Sequence, residues 1–201
     1  MKDNNNNKFT NIERAMEQEG DVLSADERFS LKKAVWDLFR IVAVAFLCFW
    51  TITFFFKPAL TRGDSMVPTL HDGDLTIVRA FNYTPTHGDI VVLKDRDLDD
   101  KHLVKRVIAM AGDKVDIDFT SGVVYLNDTP LEEGYVNEPT YAKYDVDFPV
   151  VVPQGHIFVL GDNRNYSHDS RTGDMGMIPL EQLEGKVVFR YYPFDKIGVI
   201  R

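Results

Sequence analysis

Three segments of this 201-residue chain hold side chains whose type and spacing could make and break bonds. The first is RGDSMVPTL at 62–70. Gly63 lets the backbone pass close to a neighbour or take an unusual φ, Pro68 stiffens the exit, and Met66 and Leu70 set apolar walls beside the Ser65 hydroxyl. That is a setting for a nucleophile, and equally for an ordinary turn with one polar residue. The second is Lys105 within HLVKRVIAM at 102–110. Strand alternation puts His102, Val104, Arg106 and Ile108 on one face and Leu103, Lys105, Val107 and Ala109 on the other, so Lys105 shares the more apolar face. A lysine buried there loses solvation, its pKa falls, and near neutral pH it can act as a general base. A lysine on an edge strand, guarding against aggregation, fits the same spacing. The third segment is GDNRNYSHDSR at 161–171, directly after the apolar run HIFVL. Asp162, Arg164, Asp169 and Arg171 offer two carboxylates and two guanidiniums for bidentate pairing, while Ser167 and Ser170 have hydroxyls free to orient a neighbour.

Other chemistries fit less well. Asp95, Asp97 and Asp99 take the first three ligand positions of a calcium loop, but Asp100 stands where that loop needs glycine and Arg106 where it needs a bidentate glutamate. A solvated acidic loop is the better reading. The histidines at 71, 87, 102, 156 and 168 show neither H-x-x-x-H nor H-E-x-x-H spacing, so a helix-borne metal pair is not expected and no metal or cofactor is required. A Ser-His-Asp triad lacks its G-x-S-x-G signpost, and there is no Gly-rich phosphate loop. With 23 Lys and Arg against 31 Asp and Glu the chain carries −8, which lacks the electrostatic footprint of a nucleic-acid binder. A single cysteine, Cys48, can form neither an internal disulfide nor a four-thiolate zinc site.

The elements that must position these residues are mostly strands. β-branched runs at 75–79, 89–93, 102–110, 114–118, 122–126, 149–152, 156–160 and 185–192 are separated by Gly, Pro and Asp turns too short for crossover helices. The spacing predicts a mainly β, antiparallel fold, with one short helix around Pro179 to Leu183 ending at Gly185. The looser composition at about 112–152 suggests an inserted β subdomain within a catalytic domain at 57–201.

Ahead of these strands, IVAVAFLCFWTITFFF at 41–56 carries no charge. Extended back past Arg40 and Asp37, which can pair near the headgroups, it gives a transmembrane helix at 34–56. More than thirty polar residues precede it and Ala59 and Thr61 make a poor cleavage site, so it reads as an uncleaved signal anchor. Residues 1–33, opening on an asparagine run, read as a polar tail, disordered or transiently helical. Arg28, Lys32, Lys33 and Arg40 on one side against Lys57 and Arg62 on the other place that tail in the cytoplasm and the later residues outside it.

Taken together and in this order after an anchor, S-M-V-P-T-L, then K-R-V-I with a following G-D, then G-D-N-R-N-Y-S-H-D-S-R resemble the type I signal peptidases of bacterial plasma membranes. The resemblance spans about 35–201 and implies an antiparallel signal-peptidase-like fold with a second β region inserted between lysine and last motif. It implies Ser65 as nucleophile, Lys105 as general base, Ser167 hydrogen-bonded to that lysine, and an Asp169–Arg171 ion pair holding the region. Some members carry a serine two positions before the nucleophile that helps form the oxyanion hole; Gly63 stands there in this chain, which leaves the second donor open. It further implies signal peptides of secreted preproteins as substrates, small residues at −1 and −3, and shallow pockets near Gly63, Met66, Leu70, Leu103 and Val104. The lipid bilayer and the translocation machinery are the other expected partners, at the plasma membrane. Two rivals are weighed beside it: an autoprotease similar to the SOS-response repressors, for which residues 1–33 are too short and acidic a DNA-binding head, and a catalytically dead, membrane-tethered β module.

Overall fold

Short β-branched runs cannot bury both faces alone, and here they pair into two antiparallel sheets. The structure is a computed structural model and describes residues 25–94 and 102–200. Residues 1–24 of the polar tail and the acidic loop with Asp95, Asp97 and Asp99 lie outside the described residues. The chain divides into two units, parted between Thr51 and Ile52.

The first unit is formed by most of helix α1, Ala25–Phe55. It takes in 25–33, the end of the stretch whose composition suits a disordered or transiently helical tail. Its stretch Leu31–Phe55 is 25 residues with none buried, about 37 Å of helix, long and apolar enough to cross a membrane. Arg40 Nη1 lies 3.9 Å from Asp37 Oδ1 one turn away. The helix stops before Pro58, which disfavours helical backbone at the residue ahead of it.

In the second unit the strands are β1 (Phe56–Leu60), β2 (Leu75–Arg79), β3 (Ile90–Lys94), β4 (His102–Met110), β5 (Lys114–Asp118), β6 (Val123–Leu126), β7 (Thr129–Pro130), β8 (Val150–Val151), β9 (His156–Leu160), β10 (Ile178–Pro179), β11 (Leu183–Tyr192) and β12 (Gly198–Val199). The larger sheet has the order β1-β2-β11-β3-β4-β9-β10 with β12 on β11, and the smaller the order β7-β6-β5-β8. The smaller sheet thus occupies the stretch between β4 and β9. The helix expected around Pro179 to Leu183 is a single 3-10 turn, Leu180–Gln182, and Gly185 lies inside β11 rather than ending it.

Packing explains why the central strands read as continuous apolar runs. In β3, Ile90 and Val92 join Met66, Leu70, Val78, Val104 and Val187 in one cluster, whereas Val91 and Leu93 join Val107, Ile157 and Val159 in another. A third cluster seats the smaller sheet, through Val115, Ile117 and Val124, on Ile108, Ala109 and Phe158. Strand β4 is therefore covered on both faces, with residues 104–109 all buried. A register shift between Val107 and Ala109 also ends the simple alternation expected there. Lys105 sits between β3 and β9 on an inner strand, so the edge-lysine reading does not hold.

Candidate active site

The site forms where one ladder ends. Strands β4 and β9 pair from Met110–Ile157 to Arg106–Leu160, and Lys105 follows one residue beyond, paired on its other side with Val91. The turn at 61–70 enters this gap. Asn163 donates its backbone N–H to the Ser65 carbonyl at 3.0 Å and its Nδ2 to the Asp64 carbonyl at 3.0 Å. Lys105 Nζ then lies 2.8 Å from Ser65 Oγ.

Each feature of that turn has a cause. Met66 and Leu70 are fully buried and anchor it to the sheet. Arg190 Nη1 donates to the Thr69 carbonyl at 3.0 Å and reaches Asp74 at 2.9 Å. Gly63 has φ +77°, a left-handed backbone that side chains rarely take, and its N–H donates to Asp72 Oδ1 at 2.7 Å. That N–H is committed to Asp72, while the Ser65 backbone N–H has no protein partner among the described residues.

Ser65 remains partly exposed, whereas Lys105 is only 3% exposed. Burial, the largest influence, strips the ammonium of water and lowers its pKa to about 8; Arg171 lowers it further, and Asp169 and Asp162 oppose the shift. An amine that loses its proton near neutrality beside a reachable hydroxyl can drive nucleophilic attack.

Of the paired groups expected in 161–171, Asp169 and Arg171 meet: Nε to Oδ1 at 2.8 Å and Nη2 to Oδ2 at 2.9 Å, both side chains fully buried. Asp169 also accepts the Gly161 N–H at 3.1 Å. Asp162 and Arg164 do not pair with each other. Asp162 binds Arg106 through Nε and Nη2 at 2.8 and 2.7 Å and accepts the Thr69 hydroxyl. Arg164 holds Glu133, which is far away in sequence. These partners come from other elements, which spacing within one loop cannot reveal.

Ser167 corrects an expectation of the resemblance. Its Oγ is buried without a hydrogen-bond partner and makes none with Lys105. The hydroxyl is packed over Gly161, against the space a Cβ there would take, and the Lys105 amine is turned to Ser65 instead.

A cleft of about 680 Å³ has an apolar floor of Ala59, Val78, Val92, Leu103 and Val104 beside Gly63, with Lys57, Arg62, His102 and Glu184 also in its lining. Three of the residues expected at a substrate pocket, Gly63, Leu103 and Val104, line it. Met66 and Leu70 do not, since the sheet contacts that anchor the turn bury them in the core beneath.

A serine hydroxyl and a buried amine in contact, on an antiparallel β scaffold with a partly apolar cleft alongside, have the makings of a hydrolytic acyl-transfer site. Comparison with known proteins names the class. A family model described as signal peptidase, peptidase S26, matches residues 33–192. A signal peptidase I of Bacillus licheniformis is 34% identical over 186 residues, covering 87% of this chain and 98% of its own. Signal peptidase IB of Staphylococcus aureus (strain COL) is 35% identical over 185 residues, covering 83% and 94%. A solved signal peptidase I from Enterococcus faecalis V583 is 29% identical over 52% of this chain and 97% of its own, with a TM-score of 0.42. The chain belongs to the signal peptidase family, peptidase S26. It is a type I signal peptidase, a serine endopeptidase that cleaves signal peptides, and its apolar N-terminal helix is compatible with a membrane anchor.

Proposed function

We propose that Ser65 Oγ is the nucleophile and Lys105 Nζ the general base of this peptidase, acting on preproteins at the outer face of the plasma membrane. The observation that carries the assignment is the 2.8 Å contact between Ser65 Oγ and a lysine that is 3% exposed. Neutral Lys105 takes the hydroxyl proton as Oγ attacks the scissile carbonyl carbon. The Ser65 N–H is free to stabilise the oxyanion, whereas Gly63, bound to Asp72, is not a second donor as it stands. Collapse of the tetrahedral adduct breaks the C–N bond, and the lysine returns its proton to the departing amine. Water then gives up a proton to Lys105 as its oxygen attacks the acyl carbon, and the lysine passes that proton to Ser65 Oγ as the ester C–O bond breaks, which regenerates both groups.

The Asp169–Arg171 pair supports this arrangement by holding Gly161 beneath Ser65. The cleft beside Gly63, Leu103 and Val104 suits the small side chains expected at −1 and −3. We place the tail on the cytoplasmic side, from the basic residues Arg28, Lys32, Lys33 and Arg40 ahead of the apolar run, with the bilayer holding α1 and the translocation machinery delivering substrate. Purified protein is incubated with a preprotein beside Ser65→Ala and Lys105→Ala. Loss of cleavage in both, with unchanged folding, is expected; retained cleavage by Lys105→Ala would remove the base.

A further inference from the structure

We propose that Tyr135, on the excursion between β7 and β8, is a positioning residue for the Ser65–Lys105 pair. The inference rests on the dyad assignment above and concerns what holds it in register.

Arg106 follows Lys105 on β4 and is 2% exposed, a guanidinium that must be fully satisfied to stay there. Each of its three nitrogens donates: Nε and Nη2 to Asp162, Nη1 to the Gly88 carbonyl at 2.7 Å. Its face lies against the ring of Tyr135, with Cζ 3.9 Å from the ring centre. A desolvated cation over an aromatic face is held by the ring quadrupole as well as by packing. Tyr135 is in turn fixed by its hydroxyl, which donates to Glu133 Oε1 at 3.1 Å, and Glu133 is clamped by Arg164.

The Arg106–Asp162 pair is the junction between the two halves of the site. Asp162 takes the Thr69 hydroxyl from the nucleophile's turn, and its neighbour Asn163 binds the Ser65 and Asp64 carbonyls. Beside Tyr135 is a cavity of about 710 Å³ that reaches Arg106, Asp89 and Lys186. With the ring gone, Arg106 gains water on that side and loses the face that holds its plane. Asp162 then loses its bidentate partner, and the turn bearing Ser65 loses its reference to β4. Neither Arg106 nor Tyr135 lines the cleft at Gly63, Leu103 and Val104, so the loss belongs in turnover rather than substrate binding.

The test compares Tyr135→Leu, which keeps apolar bulk without a quadrupole, with Tyr135→Phe, which keeps the ring without the hydroxyl. Both are assayed in the full chain, well below their melting temperatures, for kcat, KM and the midpoint of the pH profile. Tyr135→Leu is expected to lower kcat at least about tenfold, as a small misplacement of reacting groups does, with KM within about twofold and a displaced pH midpoint; Tyr135→Phe should stay within about threefold. Arg106→Lys, which loses the fork but not the charge, should reproduce the loss, and combining it with Tyr135→Leu should cost little more. If Tyr135→Leu does not fold, Tyr135→His, with a smaller ring, replaces it in the same comparison. Equal kcat and pH midpoints in the Leu and Phe variants, with only melting temperature lowered, would overturn the proposal and leave Tyr135 a structural cover. Cleavage by Ser65→Ala would instead overturn the dyad, a separate outcome.

Discussion

Lys105 meets two opposed demands. Burial that lowers its pKa to about 8 makes it a usable base, and the same burial makes the charged form costly. Because the folded pKa lies below the unfolded one, the native state binds fewer protons between pH 8 and the ordinary lysine value near 10.5, and stability rises with pH across that window. Below the window the penalty is constant, up to about 3 kcal/mol. Lys105→Met is therefore expected to abolish cleavage yet raise the melting temperature at pH 7 by several degrees, read by calorimetry. The activity of the wild type should climb with an apparent midpoint near 8 in kcat/KM and level off above it. A profile flat from pH 6 to 9 would mean that another group, or no titrating group, serves as base.

Gly161 belongs to the same scale. A Cβ there would collide with the Ser65 carbonyl oxygen and the Ser167 hydroxyl, one of which is backbone and cannot swing aside. Gly161→Ala should displace the nucleophile, with kcat falling about a hundredfold. A variant that cleaves normally would show that the turn can move without losing its geometry.

Among the elements, what could be read in advance follows from where each strand obtains its order. β2, β4, β5 and β9 have their own β-branched pattern, and their ends fall where the sequence places them. β1, β7, β10 and β12 do not: FKPAL looks like the exit of a helix, and the other three are two residues long. These strands form because a neighbour offers hydrogen-bonding groups, which no local window contains. The site divides in the same way. Ser65 and Lys105, proposed above as the dyad, stand out as a hydroxyl in a constrained turn and a lysine in an apolar run, but local spacing leaves both open, and only the order of the three motifs points to a family. Glu133 and Tyr135 do not stand out, since their partners Arg164 and Arg106 lie on other elements and acidic or aromatic residues in a loop are ordinary. Asp162 ties β4 to the nucleophile's turn, so Asp162→Ala should leave Arg106 buried and unpaired, at a cost of about 3–5 kcal/mol in chemical denaturation. An unchanged transition would indicate that Arg106 is satisfied by water or another acceptor once Asp162 is gone.

For the whole molecule, the proposed orientation makes a prediction about access. Protease added outside intact spheroplasts should digest the residues after 57 and leave the amino-terminal tail whole, as followed with antibodies to each end. Digestion confined to the tail would reverse the orientation and separate the site from any substrate that has already crossed the membrane.

The outermost strands share a property that bears on the company this protein keeps. β1 contains Pro58, β10 contains Pro179 and β7 contains Pro130, while β8 is flanked by Pro149 and Pro153. β1 and β10 bound the main path of the larger sheet, and β7 and β8 bound the smaller. Proline has no N–H to offer, so β1, β7 and β10 give a passing strand an interrupted ladder, and β8, between its prolines, is only two residues long. If α1 anchors the chain as proposed, copies held on one membrane encounter each other far more often than the same number free in solution. Interrupted borders protect such a crowd from coalescing through its sheets, and they leave extended chains in transit as visitors rather than permanent additions.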